Sequence, residues 1–117
     1  MDLYQRFENA VSAWVAHCER PEVLLSSDPK AVTNCQPYRD LRRLGSPTLL
    51  LVRGLCDREE DGEGDAWRII KGMGLATLVQ DITGSRFRIP DGLQGKDLER
   101  YTERWLDANL EQYVSRR

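Results

Sequence analysis

The chain has 117 residues, 40% hydrophobic and 31% charged, and its 17 basic and 19 acidic side chains leave a net charge of -2. That size predicts one domain over 1–117, the apolar content excludes a disordered chain, and the slight acidity gives no general attraction for a phosphate backbone. No apolar run nears the roughly 20 residues that span a bilayer, and Asp2, Arg6 and Glu8 interrupt the first segment where a signal peptide is apolar, so a cytoplasmic protein without a membrane span is expected.

In chain order, Leu3, Phe7, Val11, Trp14 and Cys18 recur every three or four residues and predict one amphipathic helix, with Asp2 as its cap and Pro21 beyond its end. Residues 21–36 read as an irregular connection. Leu24 and Leu25 are expected to pin it to the core, and Ser26-Ser27-Asp28-Pro29 has the chemistry of a cap followed by a short turn as far as Val32. Pro37 opens a helix carrying Tyr38, Leu41 and Leu44, Gly45 closes it, and Ser46-Pro47 starts another at once. That second helix holds Leu49, Leu50, Leu51, Val52, Leu55 and Cys56, apolar around most of its circumference, so 37–57 is expected to be a helical hairpin or corner with a centrally placed second arm.

From Asp57 to Asp65 acids and glycines alternate, which predicts an exposed, mobile loop whose last residue caps the next helix. That helix buries Trp67, Ile70, Leu78, Val79 and Ile82 and ends at Gly84. Gly72 and Gly74 each cost about 1 kcal/mol relative to alanine, so a bend or break there is expected. A second loop covers 84–95 and folds Phe87 and Ile89 back toward the domain. A last helix, from about Lys96 to Val114, places Leu98, Tyr101, Trp105 and Leu110 near one face, against the helix before it. The expected fold is all-α, a compact bundle of four to six helices arranged as antiparallel hairpins.

Two stretches carry a family likeness: Tyr38-Arg-Asp-Leu-Arg-Arg-Leu-Gly-Ser-Pro-Thr-Leu-Leu-Leu-Val52, and Trp67-Arg-Ile-Ile70 followed by Asp81-Ile-Thr-Gly84, with Trp105 beyond. Over residues 23–106 the chain resembles a group of small, largely uncharacterised bacterial proteins whose core is a degenerate pair of HEAT-like helical hairpins. The resemblance implies a fold and carries no catalytic set. The glycines at 72 and 74 and the acidic stretch before them depart from a regular stacked repeat.

The chemistry-bearing residues are few. Cys18, Cys35 and Cys56 are widely spaced without a Cys-x-x-Cys pair, which argues against a disulfide framework or a structural zinc site, and Cys18 and Cys56 sit where small core hydrophobes belong. The acidic loop lacks the order of a calcium loop, and Gly72-Met-Gly-Leu lacks the strand and lysine of a phosphate loop, so no metal or cofactor is expected. His17 is the single histidine; an enzyme with a site near His17 and Ser27-Asp28 is one reading, although capping accounts for the serines and the aspartate. Arg39, Arg42, Arg43 and Arg53 lie on adjacent predicted helices and form a candidate patch for an acidic protein or a nucleic-acid backbone. Trp14, Trp67 and Trp105 fall on apolar stripes, and an exposed one beside Phe87 or Tyr38 would mark a contact surface. The leading expectation is a non-enzymatic interaction or adaptor protein, which meets another protein through loop 26–34 or loop 86–94, with Arg39, Arg42, Arg43, Arg53 and Phe87 as candidate contacts.

Overall fold

In the computed structural model, which describes residues 2–28, 30–58, 64–84 and 86–114, every regular element is a helix. Helix α1 (Leu3–Cys18) begins where the Asp2 carboxylate accepts the Gln5 backbone N–H at 2.8 Å, and it turns Phe7, Val11, Trp14 and Cys18 inward. Pro21 does more than end α1. Its fixed φ suits a first helical turn, and a short helix, α2 (Pro21–Leu24), starts on it. Asp28 then accepts the Lys30 N–H at 3.0 Å and caps α3 (Lys30–Thr33), while its own N–H donates to Ser26 Oγ.

Helix α4 (Gln36–Leu44) ends at Gly45, whose φ of 79° is a left-handed conformation that glycine adopts without strain. A 3-10 turn over Ser46–Thr48 leads into α5 (Leu49–Asp57). Of the hairpin and the corner, the chain makes a corner: α4 packs on α1 and on a later helix, whereas α5 packs on the last long one. The acidic segment 59–63 lies outside the described residues. Asp65 opens α6 (Asp65–Ile69) as its first residue, bonded to Arg68, and the capping position belongs to Gly64.

The helix expected to bend or break at Gly72 and Gly74 is wound without a break. It runs as α6, a π-helical turn over Ile70–Gly74, and α7 (Leu75–Thr83), closed by Gly84 at φ 62°. Both glycines are explained by close approach. A Cβ at Gly74 would sit 2.8 Å from the Trp14 ring atoms Cη2 and Cζ2, and one at Gly72 would sit 3.2 Å from Gly95 Cα. The backbone here is a surface that other elements press against, and the wider turn accommodates them.

The final helix starts at Gly95 as α8 (Gly95–Asn109) and is interrupted at Leu110 before a short α9 (Glu111–Val114). It packs on α5 and the π turn as well as on α7. Segment 86–94 contains no strand. The Phe87 N–H donates to Thr83 Oγ1 at 3.2 Å and that of Ile89 to Gln80 Oε1 at 3.1 Å, which folds this loop back onto α7. One interior results, with Trp14, Phe7, Phe87, Leu41, Leu49, Leu55 and Ile70 among its fully buried side chains. The radius of gyration of 13.5 Å is what a compact chain of this length has, roughly 13 Å. No helix among the described residues is long and apolar enough to cross a membrane.

The Trp14–Gly74 contact yields a stability test. Gly74→Ala should gain helix propensity yet lose about 1–3 kcal/mol through overpacking against a rigid indole, and Trp14→Phe should restore part of that loss in the double variant, as read by urea denaturation.

Candidate functional site

Two loops that are far apart in sequence meet over the π turn. The segment after α2 supplies Ser26, Ser27 and Asp28, the segment before α8 supplies Ile89, Leu93 and Gln94, and between them lies a groove of about 640 Å³. Its floor is Val23, Leu24, Val32, Ile69, Gly72, Met73 and Leu98, with Arg68, Thr77 and Gly95 completing the lining. A groove of this size, mostly apolar with a few polar groups at its rim, has the build of a binding site. Leu25, at the end of α2, stands 85% exposed, and with Pro21 it lines a smaller cleft that shares Leu24, Arg68 and Ile69 with the groove. The apolar surface is therefore continuous, and its outermost side chain faces water.

The groove is built on rigid supports. The Trp14 indole N–H donates to Val32 O at 2.8 Å and His17 Nε2 meets Ala31 O at 2.8 Å, so two side chains of α1 hold α3 in place. On the other side Lys71 of the π turn reaches Glu99 of α8 at 3.3 Å and donates to Arg58 O at 2.9 Å. This ion pair is 13% and 12% exposed, sheltered enough to hold the π turn against α8 in one register.

The structure disperses the sequence-predicted candidates. Phe87, expected at a contact surface, is 0% exposed: it packs edge-on against Trp105 at 5.2 Å and against Tyr101 at 5.7 Å, and so belongs to the core. Trp14 and Trp67 are buried and Trp105 is half-buried, so the tryptophans anchor the interior. Arg53 is 19% exposed and engaged by Asp107 at 2.6 Å, Glu103 at 2.9 Å and Asp57 at 3.2 Å, the last as an ion pair without hydrogen-bond alignment. Hydrogen bonding to Asp107 raises its pKa further, and it clamps α5 to α8.

Arg42 lies 4.0 Å from Asp81 and 6.0 Å from the centroid of the Tyr38 ring, whose hydroxyl donates to the same Asp81. Burial, reinforced by that hydrogen bond, holds the Tyr38 phenol above its ordinary range. Arg43 lines a separate cleft of about 450 Å³ between α1 and α4, where Arg6 and Asp40 face it, and Arg39 is half-buried on α4. Arg53, Arg42 and Arg43 are thus divided between an ion-pair clamp, a tyrosine-aspartate contact and a mixed-charge cleft. His17 and Asp28, the alternative catalytic pair, line different clefts: His17 one with Arg20, Asn34 and Cys35, and Asp28 the groove. The groove itself joins 26–28 to 89–95, and only the apolar residues inside those loops signalled it.

The three cysteines are free and buried. Burial pushes the Cys18 thiol up to about 12, with Cys35 adding to the shift, and pushes Cys56 up to about 11. Cys35 is likewise raised by burial. No family model, curated protein or solved structure matches this chain.

Two outcomes are expected. A thiol whose folded pKa is raised is stabilising as the neutral form below its unfolded pKa, so stability should hold up to pH 9.0 and fall as pH rises toward 12, with the thiols resisting Ellman's reagent until unfolding. Arg53→Ala should lower stability by about 1–2 kcal/mol in urea titrations, and Arg53→Lys should recover a minor part because it lacks the guanidinium fork.

Proposed function

We propose that this chain is a non-enzymatic interaction protein, acting as an adaptor, and that the groove over the π turn docks a short segment of another protein. The observation that carries this reading is Leu25, 85% exposed in a cleft that shares Leu24, Arg68 and Ile69 with the apolar groove. An isolated surface leucine needs no explanation, but one that extends an apolar groove does, because covering both removes a continuous apolar area from water. Both loops expected from the sequence to meet a partner form the walls, and helix-anchored contacts hold them in place before any partner arrives, which lowers the ordering cost of binding. Three buried, unpaired thiols suit a reducing compartment, in line with a cytoplasmic site of action.

A photo-cross-linking residue at Ser27, in the groove wall, compared with one at Arg39 on α4, tests the reading in cells of the native host. The expected outcome is one protein joined at Ser27 several-fold more than at Arg39, with the adduct lost on adding Met73→Glu. Equal labelling at both positions, no protein adduct at Ser27, or an adduct to nucleic acid from Arg39 would overturn it.

A further inference from the structure

We infer that the cleft between α1 and α4 is a binding site for a small acidic amino acid, a molecule that carries two carboxylates and one ammonium group. The cleft has a volume of about 450 Å³ and shares no lining residue with the groove over the π turn, so the inference stands apart from the docking role. Its charged groups are Arg6 of α1 and Asp40 and Arg43 of α4, all exposed. Among the described residues neither guanidinium closes an ion pair, with Asp40 or with any other acid. Arg20, Arg42, Arg53 and Arg68, by contrast, each hold a carboxylate at 4.0 Å or less. Asp40 accepts the Gln36 side-chain amide on one oxygen at 2.8 Å, and its other oxygen has no hydrogen-bond partner among the described residues. The cleft therefore presents two cations without counter-ions and one carboxylate with an oxygen to spare.

Each of these groups takes a definite partner. A guanidinium holds a carboxylate through two parallel N–H donors, and a carboxylate oxygen accepts from an ammonium group. A ligand with a single carboxylate leaves one guanidinium without a counter-ion, and a dicarboxylate lacking the amino group sets its charge against Asp40. A dicarboxylic amino acid answers all three, and its net charge of one negative unit offsets the one positive unit that two arginines and an aspartate give the lining. The uncharged residues agree with this chemistry. Ala10, Ala13 and the half-buried Leu44 offer apolar contact to the short carbon chain, and the two alanines are small enough to leave room between the helices. Asn9 is engaged by Gln5 at 3.5 Å and does not enter the charge pattern. The walls are rigid, since α1 packs along α4 and the Trp14 and Tyr38 rings that join them lie 5.4 Å apart, so little ordering is needed when the ligand arrives.

The test uses the intact chain with alanine methyl groups labelled for NMR, at fixed ionic strength. Ala10 and Ala13 report on the cleft, and Ala108, exposed on α8, is the control. The probe is L-glutamate; glutarate lacks the ammonium group, and L-glutamine and the α-amide of L-glutamate each lack one carboxylate. Because the charged groups are exposed and screened, the expected result is a saturable shift of Ala10 and Ala13 with a Kd on the order of 1 mM, Ala108 unmoved, and every comparator about fivefold weaker or more. Arg6→Gln and Arg43→Gln should each weaken L-glutamate binding about tenfold. Asp40→Asn should move two ligands in opposite directions, L-glutamate binding several-fold more weakly and glutarate more tightly, because one carboxylate attracts the ammonium group and repels the bare dianion. All three substitutions are at exposed positions, so the variants should keep the parent's far-ultraviolet circular dichroism. No saturation up to about 50 mM, a shift of Ala108 equal to that of Ala13, a comparator that binds as tightly as L-glutamate, or tighter binding of L-glutamate by Asp40→Asn would each sink the inference.

Discussion

The Trp14 indole occupies the space that a side chain at position 74 would need, and much of the molecule is arranged around that contact. The indole carbons Cη2 and Cζ2 lie against the backbone of the π turn, its N–H holds Val32 O, and Tyr38 of α4 tilts against it at 5.4 Å. One side chain of α1 thereby touches the π turn, the short α3 and the first arm of the corner. A tryptophan suits the position because it joins a large apolar area to one directional donor. The groove wall inherits this fixity, since Val32 and Asp28 flank the segment that the indole N–H and His17 secure.

Electrostatics divides the same helices by location. Around Arg53 the charges serve cohesion between α5 and α8, and around Lys71 and Glu99 they serve registry between the π turn and α8. The groove lies across the π turn and is largely free of such pairs apart from Arg68 with Asp65 at its edge. Burying an ion pair is costly unless its geometry is good, so a face kept mostly apolar is better suited to being covered by a partner.

How much of this was legible depended on how far each residue's partner lies along the chain. Helix α1 follows from Leu3, Phe7, Val11, Trp14 and Cys18 alone, because the helical repeat is local, and Gly45 and Gly84 mark helix ends for the same reason. At Gly72 and Gly74 propensity registers the penalty of a glycine inside a helix, while the close approaches that require glycine there come from Gly95 and Trp14, elsewhere in the sequence. Phe87 looked like a loop aromatic until Tyr101 and Trp105, on a later helix, enclosed it. Arg53 looked like part of a basic patch because Glu103 and Asp107 lie on α8, some fifty residues further on. The groove needs both loops at once, and no local pattern pairs Ser27 with Leu93.

The π turn also bears on how this stretch of chain can change over time. A π turn sweeps about the same angle as the α-helical turn it replaces while holding about one residue more, so loss of a single residue within Ile70–Gly74 would restore ordinary winding and leave α6 and α7 facing nearly as they do now. Trp67 and Val79 would keep their buried sides. What such a loss would remove is the widened stretch of backbone on which Gly72 meets Gly95 and Gly74 meets Trp14.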